Sequence, residues 1–130
     1  MLIFSNVALF EKIYDAAVKC YPELKSGIII IDLNGTDNLS IFEGTGDDAG
    51  KYKLSLKMEE DYVENIKSIA LGFAMILCHN KYGQMNSKNM TEEQQATLVE
   101  MTRNILEEVL NVPSHGEMSY ETVYGGKIND

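Results

Sequence analysis

Basic residues are scarce in this chain of 130 residues, which has 11 lysines and arginines against 20 aspartates and glutamates. The net charge of −9 argues against direct nucleic-acid binding, because a protein that grips phosphates needs a basic face. The acidic balance fits a solubilising surface. It also allows a second interpretation, in which an acidic face is presented to a basic partner.

Long apolar runs are also missing. The longest one, within residues 69–78, is about half the length that a bilayer-spanning helix needs. The opening residues, MLIFSNVALFEK, lack the basic segment and the small-residue cleavage site of a secretory signal. These features predict a cytoplasmic protein that does not enter a membrane.

Histidine and cysteine are too few to indicate a metal site or a disulfide. Cys20 and Cys78 lie in separate helical patterns, so we expect buried free thiols. A zinc site would have to combine His79 and His115 with Cys78 or Glu100, and no spacing of residues requires one. We interpret His79 as a helix-end histidine, and we predict that the chain holds no cofactor.

A phosphate-binding loop is absent although GTGDDAGK, residues 44–51, is similar to one. Five residues, rather than four, separate Gly44 from the Gly-Lys pair, and no serine or threonine follows the lysine. The segment leads into a predicted strand, whereas a phosphate needs amides at a helix N-terminus. Asp47 and Asp48 lack the spaced oxygen ligands of an EF-hand. We therefore predict a hairpin loop.

Hydrophobic periodicity predicts one α+β domain over residues 1–130, with the order helix, three strands, two helices. Three segments have the composition of strands: residues 27–33, 39–43 and 51–57. The isoleucine run of the first strand predicts cover on both faces, and the second strand is expected to pair with it as a hairpin. The expected sheet is therefore three-stranded and mostly antiparallel.

Helices are predicted before and after these strands. The first spans residues 6–21, with Asn6 as its cap and Pro22 as its end. The others span 59–80 and about 91–111, and TEEQ opens the last one as a capping box. The tail SYETVYGGKIND offers one further short strand, and residues 125–130 are expected to fray.

The stretch IALGFAMILCHN, residues 69–80, is unusual because it is almost uncharged and contains a glycine. Leu71, Met75 and His79 share a stripe rotated from the main core face. Gly72 costs about 1 kcal/mol relative to alanine within a helix. We expect some close packing, for example of a neighbouring backbone, to compensate for that cost.

This stretch resembles the zinc helix of ImmA/IrrE-type metallopeptidases, which typically reads Ile-Ala-His-Glu-Leu-Gly-His-Ile-Leu-Leu-His. The matching residues are Ile69, Ala70, Ile76, Leu77 and His79. Leu71 and Met75 replace the two zinc histidines, and Gly72 replaces the catalytic glutamate. In the last helix, Asn104 and the LNVP segment also match, and the acidic ligand would fall near Met101 or Thr102, with Glu100 out of register. As an order of elements, the resemblance covers most of residues 6–113.

The resemblance implies a zincin-like scaffold that has lost its catalyst, because the chemistry needs two imidazoles one turn apart and a glutamate. The degenerate site would comprise Leu71, Gly72, Met75, His79 and Glu100. The implied function is that of a pseudoenzyme, a non-catalytic binding or regulatory protein, in a family that often acts with repressors of mobile elements. Without the resemblance, the same helix is plain core.

Protein–protein contact is then expected at the loops that would flank a zincin-like cleft, residues 44–50 and 80–90. The candidate contact residues are Asp47, Asp48, Lys81, Tyr82 and Gln84. Two other functions stay open. One is an acidic inhibitor or chaperone-like protein for a basic partner, and the other is an enzyme whose site the sequence does not reveal.

Overall fold

The computed structural model describes residues 2–32, 35, 39–44, 46–48, 50–57, 60, 62–83 and 90–110. These residues form three α-helices and three strands: α1 (Leu2–Cys20), β1 (Ile28–Asp32), β2 (Ser40–Glu43), β3 (Lys51–Ser55), α2 (Tyr62–Tyr82) and α3 (Glu92–Leu110). Short 3-10 turns precede β1 (Pro22–Ser26) and β3 (Gly46–Asp48). The predictions for the tail, including Pro113, His115 and a further strand, lie outside the described residues.

The chain is an α+β protein, but the prediction of a mostly antiparallel sheet is wrong. The strand order is β1-β3-β2, and β1 runs parallel to β3 from the pair Ile28 and Lys51 to the pair Asp32 and Ser55. Strand β2 lies antiparallel on the other side of β3. The predicted hairpin between the first two strands is therefore wrong, because β3 inserts between them.

With this strand order, the backbone just after β1 lies close to the end of β3. The amide of Gly35, just after β1, donates to the carbonyl of Leu56 over 3.1 Å. A Cβ at Gly35 would lie 2.6 Å from the Ser55 Oγ, so a larger residue would push the chain away from the end of β3. The hairpin predicted at residues 44–50 is confirmed, because it joins the antiparallel strands β2 and β3.

The exposure of β1 corrects another expectation. The isoleucine run predicts cover on both faces, yet Ile28 is 56% exposed and Ile30 is 55% exposed. On the opposite face, Ile29 and Ile31 pack against the core but are only partly buried. In contrast, β3 alternates as predicted, with Tyr52 and Leu54 buried and Lys53 exposed.

The helix boundaries agree with the periodicity except at two starts: α2 begins at Tyr62 rather than at residue 59, and the other difference is at the start of α1. That helix begins at Leu2, so the prediction that Asn6 caps it is wrong. The capping box before α3 is confirmed, since the Gln94 amide donates to Thr91 Oγ1 over 3.1 Å and the Thr91 amide donates to Gln94 Oε1 over 3.0 Å. None of the described helices has the length and apolarity needed to cross a membrane.

Helix α2 forms the centre of the core. Every residue from 69 to 78 is buried, and α2 packs against both α1 and α3. Phe73 is completely buried, with its ring centroid 5.1 Å from that of Phe10 and 5.6 Å from that of Tyr14. This packing explains the apolar composition of the IALGFAMILC segment, because no turn of it faces water.

Candidate functional site

The positions that the resemblance aligns with a zinc helix lie inside the core and do not line a cleft. Leu71 is completely buried and Met75 is 4% exposed. Gly72 faces β3, where a Cβ would lie 2.7 and 2.8 Å from the two methyl carbons of Leu54. The close packing expected beside Gly72 is therefore confirmed, and the nearest atoms belong to the Leu54 side chain rather than to a backbone.

The proposed acidic position on α3 offers no ligand toward this helix. Glu100 is exposed, whereas Met101 and Thr102 are buried. The Thr102 hydroxyl donates to the Leu98 carbonyl of its own helix over 2.8 Å. Within the described ranges, no group of three or more histidine, cysteine, aspartate or glutamate side chains is placed to hold a metal ion.

The end of α2 is tied to the sheet through Tyr52. Its hydroxyl donates to Asn80 Oδ1 over 2.7 Å, and its ring meets the His79 imidazole edge-on with centroids 6.4 Å apart. His79 lies half-buried in the last turn of α2, as expected for a helix-end histidine. These contacts are structural, since they join the central strand to the helix behind it.

Both cysteines are free thiols, as predicted. Cys78 is buried, and burial raises the pKa of its thiol to about 11. Cys20 is only half-buried, so the prediction of a buried thiol is wrong for this residue. Desolvation, reinforced by the nearby Glu108 carboxylate, raises the pKa of this thiol too. Neither residue has the lowered pKa of a nucleophilic cysteine.

The predicted loop contacts are only partly described. Asp47 is exposed in the turn before β3, and Lys81 is exposed with its Nζ 5.3 Å above the Tyr82 ring. Tyr82 is half-buried, and its hydroxyl lies 2.9 Å from the Thr97 hydroxyl. The side chain of Asp48 and all of Gln84 lie outside the described residues. Tyr82 thus serves helix packing, which leaves Asp47 and Lys81 as exposed surface charges.

A different surface, the side of β1 that faces away from β3, was missed by sequence reasoning. The Ile28 amide donates to the Gly50 carbonyl over 3.3 Å, and the Leu56 amide donates to the Asp32 carbonyl over 3.0 Å. The N–H and C=O groups of successive residues in a strand point to opposite sides. These bonds therefore show that the backbone groups of Ile28, Ile30 and Asp32 point toward β3. Those of Ile29 and Ile31 point the other way, where no described strand pairs with them.

Exposed apolar side chains border these outward-pointing groups. On the outer face of the sheet, Ile28 lies beside Lys51 of β3, and Ile30 lies beside Lys53. We call the backbone of residues 27–31 together with the Ile28 and Ile30 side chains the β1 edge. The sequence signal was the isoleucine run itself, but its exposure follows from the strand order, which the run does not encode.

Comparisons of the chain with protein families, with curated proteins and with solved structures find no match.

Proposed function

We propose that the chain is a non-catalytic protein that acts by protein–protein contact, with the β1 edge as its binding surface. The observation that carries this proposal is the exposure of Ile28 and Ile30, 56% and 55%, on a strand at the side of the sheet. An edge strand presents a row of backbone donors and acceptors to which another chain can add a strand. Exposed β-branched side chains beside that row add apolar contact area.

The composition of the β1 edge supports this use. Natural proteins usually blunt an edge strand with lysines, prolines or bulges that prevent unwanted pairing. Between Gly27 and Ile31 the chain has no charged residue and no proline, and the first charge comes with Asp32. An edge of this composition is suited to being covered by another chain.

The absence of catalysis belongs to the same proposal. Leu71, Gly72 and Met75 have no group that binds zinc or activates water, and the packing of Leu54 against α2 leaves no room there for a substrate. If the helix descends from an ImmA/IrrE-type zinc helix, its cleft has been filled by core side chains. The proposed role is thus that of a cytoplasmic binding or regulatory protein.

A comparison of variants in affinity capture tests this proposal. Tagged wild-type protein is compared with Ile28→Lys/Ile30→Lys, and every captured protein is purified and its binding is measured again by calorimetry. Val63→Lys and Leu110→Lys serve as matched controls, because these residues are 49% and 45% exposed elsewhere on the molecule. All substitutions are at exposed positions, so the variants should fold.

The expected result is that wild type and both controls bind the same proteins, whereas the β1-edge variant loses them. A second, differently tagged copy of this chain is included among the proteins scored. If the β1-edge variant binds every protein as tightly as the wild type does, the proposed surface is wrong.

A further inference from the structure

We propose that the β1 edge binds a second copy of this chain, in an antiparallel pairing whose two-fold axis passes through Ile29. This inference rests on the proposed function, because it names the occupant of the same surface. It is carried by the symmetry of the β1 edge about Ile29, in its backbone and in its side chains.

The backbone has the required symmetry. Gly27 continues β1 in an extended conformation, with φ −102° and ψ 163°. By the alternation established above, the outward-pointing N–H and C=O groups belong to Gly27, Ile29 and Ile31. In an antiparallel pair centred on Ile29, Ile29 faces Ile29 of the second copy, and Gly27 faces Ile31 at either end. Each of these pairs exchanges two hydrogen bonds.

The exposed side chains have the same symmetry. In this register Ile28 of each copy lies opposite Ile30 of the other, as a non-hydrogen-bonded pair, in which side chains approach most closely. The exposed isoleucines of both copies then form one apolar cluster. An axis at Ile30 would instead place Ile28 opposite the Asp32 carboxylate, so the register at Ile29 is favoured.

Charge is also compatible with this pairing. Each copy carries a net charge of −9, so general repulsion opposes association. The β1 edge itself is uncharged, and the pairing brings the exposed Lys25, at the end of the 3-10 turn, to the end of the strand where Asp32 of the other copy lies. The interface between the two paired β1 strands therefore has an uncharged centre and opposite charges at its ends.

The area of this interface determines the affinity that we expect. Stable interfaces bury about 1,200–2,000 Å² in total, and a pairing limited to one short strand from each copy buries less. We therefore expect a dimer that dissociates on dilution. Because a two-fold pairing uses both β1 edges, association should stop at two copies.

Sedimentation equilibrium of the purified wild-type protein, from micromolar to millimolar concentration, tests the pairing. We expect a monomer–dimer equilibrium whose dissociation constant rises by about tenfold or more in Ile28→Lys and in Ile30→Lys. Each substitution places a lysine of both copies at the interface, where the like charges repel. Val63→Lys should leave it unchanged. A wild type that stays monomeric at millimolar concentration would overturn the inference.

Disulfide trapping tests the register. In a Cys20→Ser background, copies with Ile28→Cys are mixed with copies that carry Ile30→Cys, and cross-linking is followed under mild oxidation. Cα atoms of a directly opposed pair lie within disulfide range. The mixture should therefore cross-link faster than either variant alone. Faster self-linking of Ile30→Cys would overturn the axis at Ile29.

The two proposals fail in different ways. If the purified protein is monomeric but Ile28→Lys/Ile30→Lys still loses its protein partners, the second copy is the wrong occupant and the proposed function stands. If the dimer forms but the same variant retains every other partner, the inference stands and the β1 edge is not the site of those contacts.

Discussion

Gly72→Ala should destabilise the protein, even though alanine is the better helix former. The substitution gains about 1 kcal/mol of helix propensity. The new methyl group, however, would lie 2.7 Å from one Leu54 methyl carbon and 3.3 Å from Leu54 Cγ, and Leu54 is completely buried. Overpacking of this kind costs about 1–3 kcal/mol. We expect a net loss of up to about 2 kcal/mol in the free energy of unfolding.

In a Leu54→Ala background, the effect of Gly72→Ala on the free energy of unfolding should change sign. Leu54→Ala alone should cost about 2–5 kcal/mol, because it leaves a cavity in the core. With the Leu54 methyl groups gone, Gly72→Ala no longer meets an obstacle and should stabilise that variant by about 1 kcal/mol. The coupling between the two sites should therefore be about 1–3 kcal/mol.

Urea unfolding, monitored by circular dichroism, measures this cycle. Leu56→Ala is the matched control, since Leu56 is equally buried but is not among the nearest neighbours of a Cβ at residue 72. In that background Gly72→Ala should remain destabilising. If Gly72→Ala stabilises the wild type as much as it stabilises Leu54→Ala, the argument from close packing is refuted.

Three further changes test the core, the caps and the thiols. The triple variant Leu71→His, Gly72→Glu, Met75→His should fail to fold with or without zinc, since it buries unpaired imidazoles and a carboxylate; a folded variant whose melting temperature rises with zinc would contradict this. Thr91→Ala should lower the free energy of unfolding by about 1 kcal/mol through loss of the capping box, whereas an unchanged urea midpoint would contradict the role of the cap. Because burial raises the pKa of Cys78 from 9.0 to about 11, the unfolded chain releases this proton first, so stability should fall between about pH 9 and 11. Urea midpoints at pH 8 and pH 10 should show a smaller alkaline loss in Cys78→Ala, and an equal loss would count against the shift.

Local sequence patterns were sufficient for the elements whose signal lies within one segment. The i, i+3, i+4 spacing located α2 and α3, and TEEQ marked the start of α3, because caps and amphipathic stripes depend only on neighbouring residues. The alternation of Tyr52 and Leu54 with lysines likewise located β3 and its buried face. These predictions needed no knowledge of tertiary contacts.

The order of the strands, in contrast, could not be predicted from local patterns. The parallel pairing of β1 with β3 joins residues that are far apart in the sequence, and no pattern within either strand specifies it. The isoleucine run of β1 is typical of strands covered on both faces, so its place at the side of the sheet could not be predicted from composition. The candidate surface was missed for that reason.

In helix α2, the residue types at the replaced positions do not distinguish a lost zinc site from an ordinary core. Leucine and methionine at positions 71 and 75 are what a filled cleft requires, and they are also what any core helix contains. Their burial against β3 and the neighbouring helices decides that they are core, while the relationship to a zinc helix stays a prediction.

Amide hydrogen exchange along β1 tests the central claim most directly. The amides of Ile28 and Ile30 face β3 and should exchange slowly at every protein concentration. Those of Ile29 and Ile31 point away from β3 and should exchange fast at micromolar concentration and slowly at millimolar concentration, when the second copy covers them. Exchange at Ile29 and Ile31 that is equally slow at both concentrations, or equally fast at both, would contradict the account.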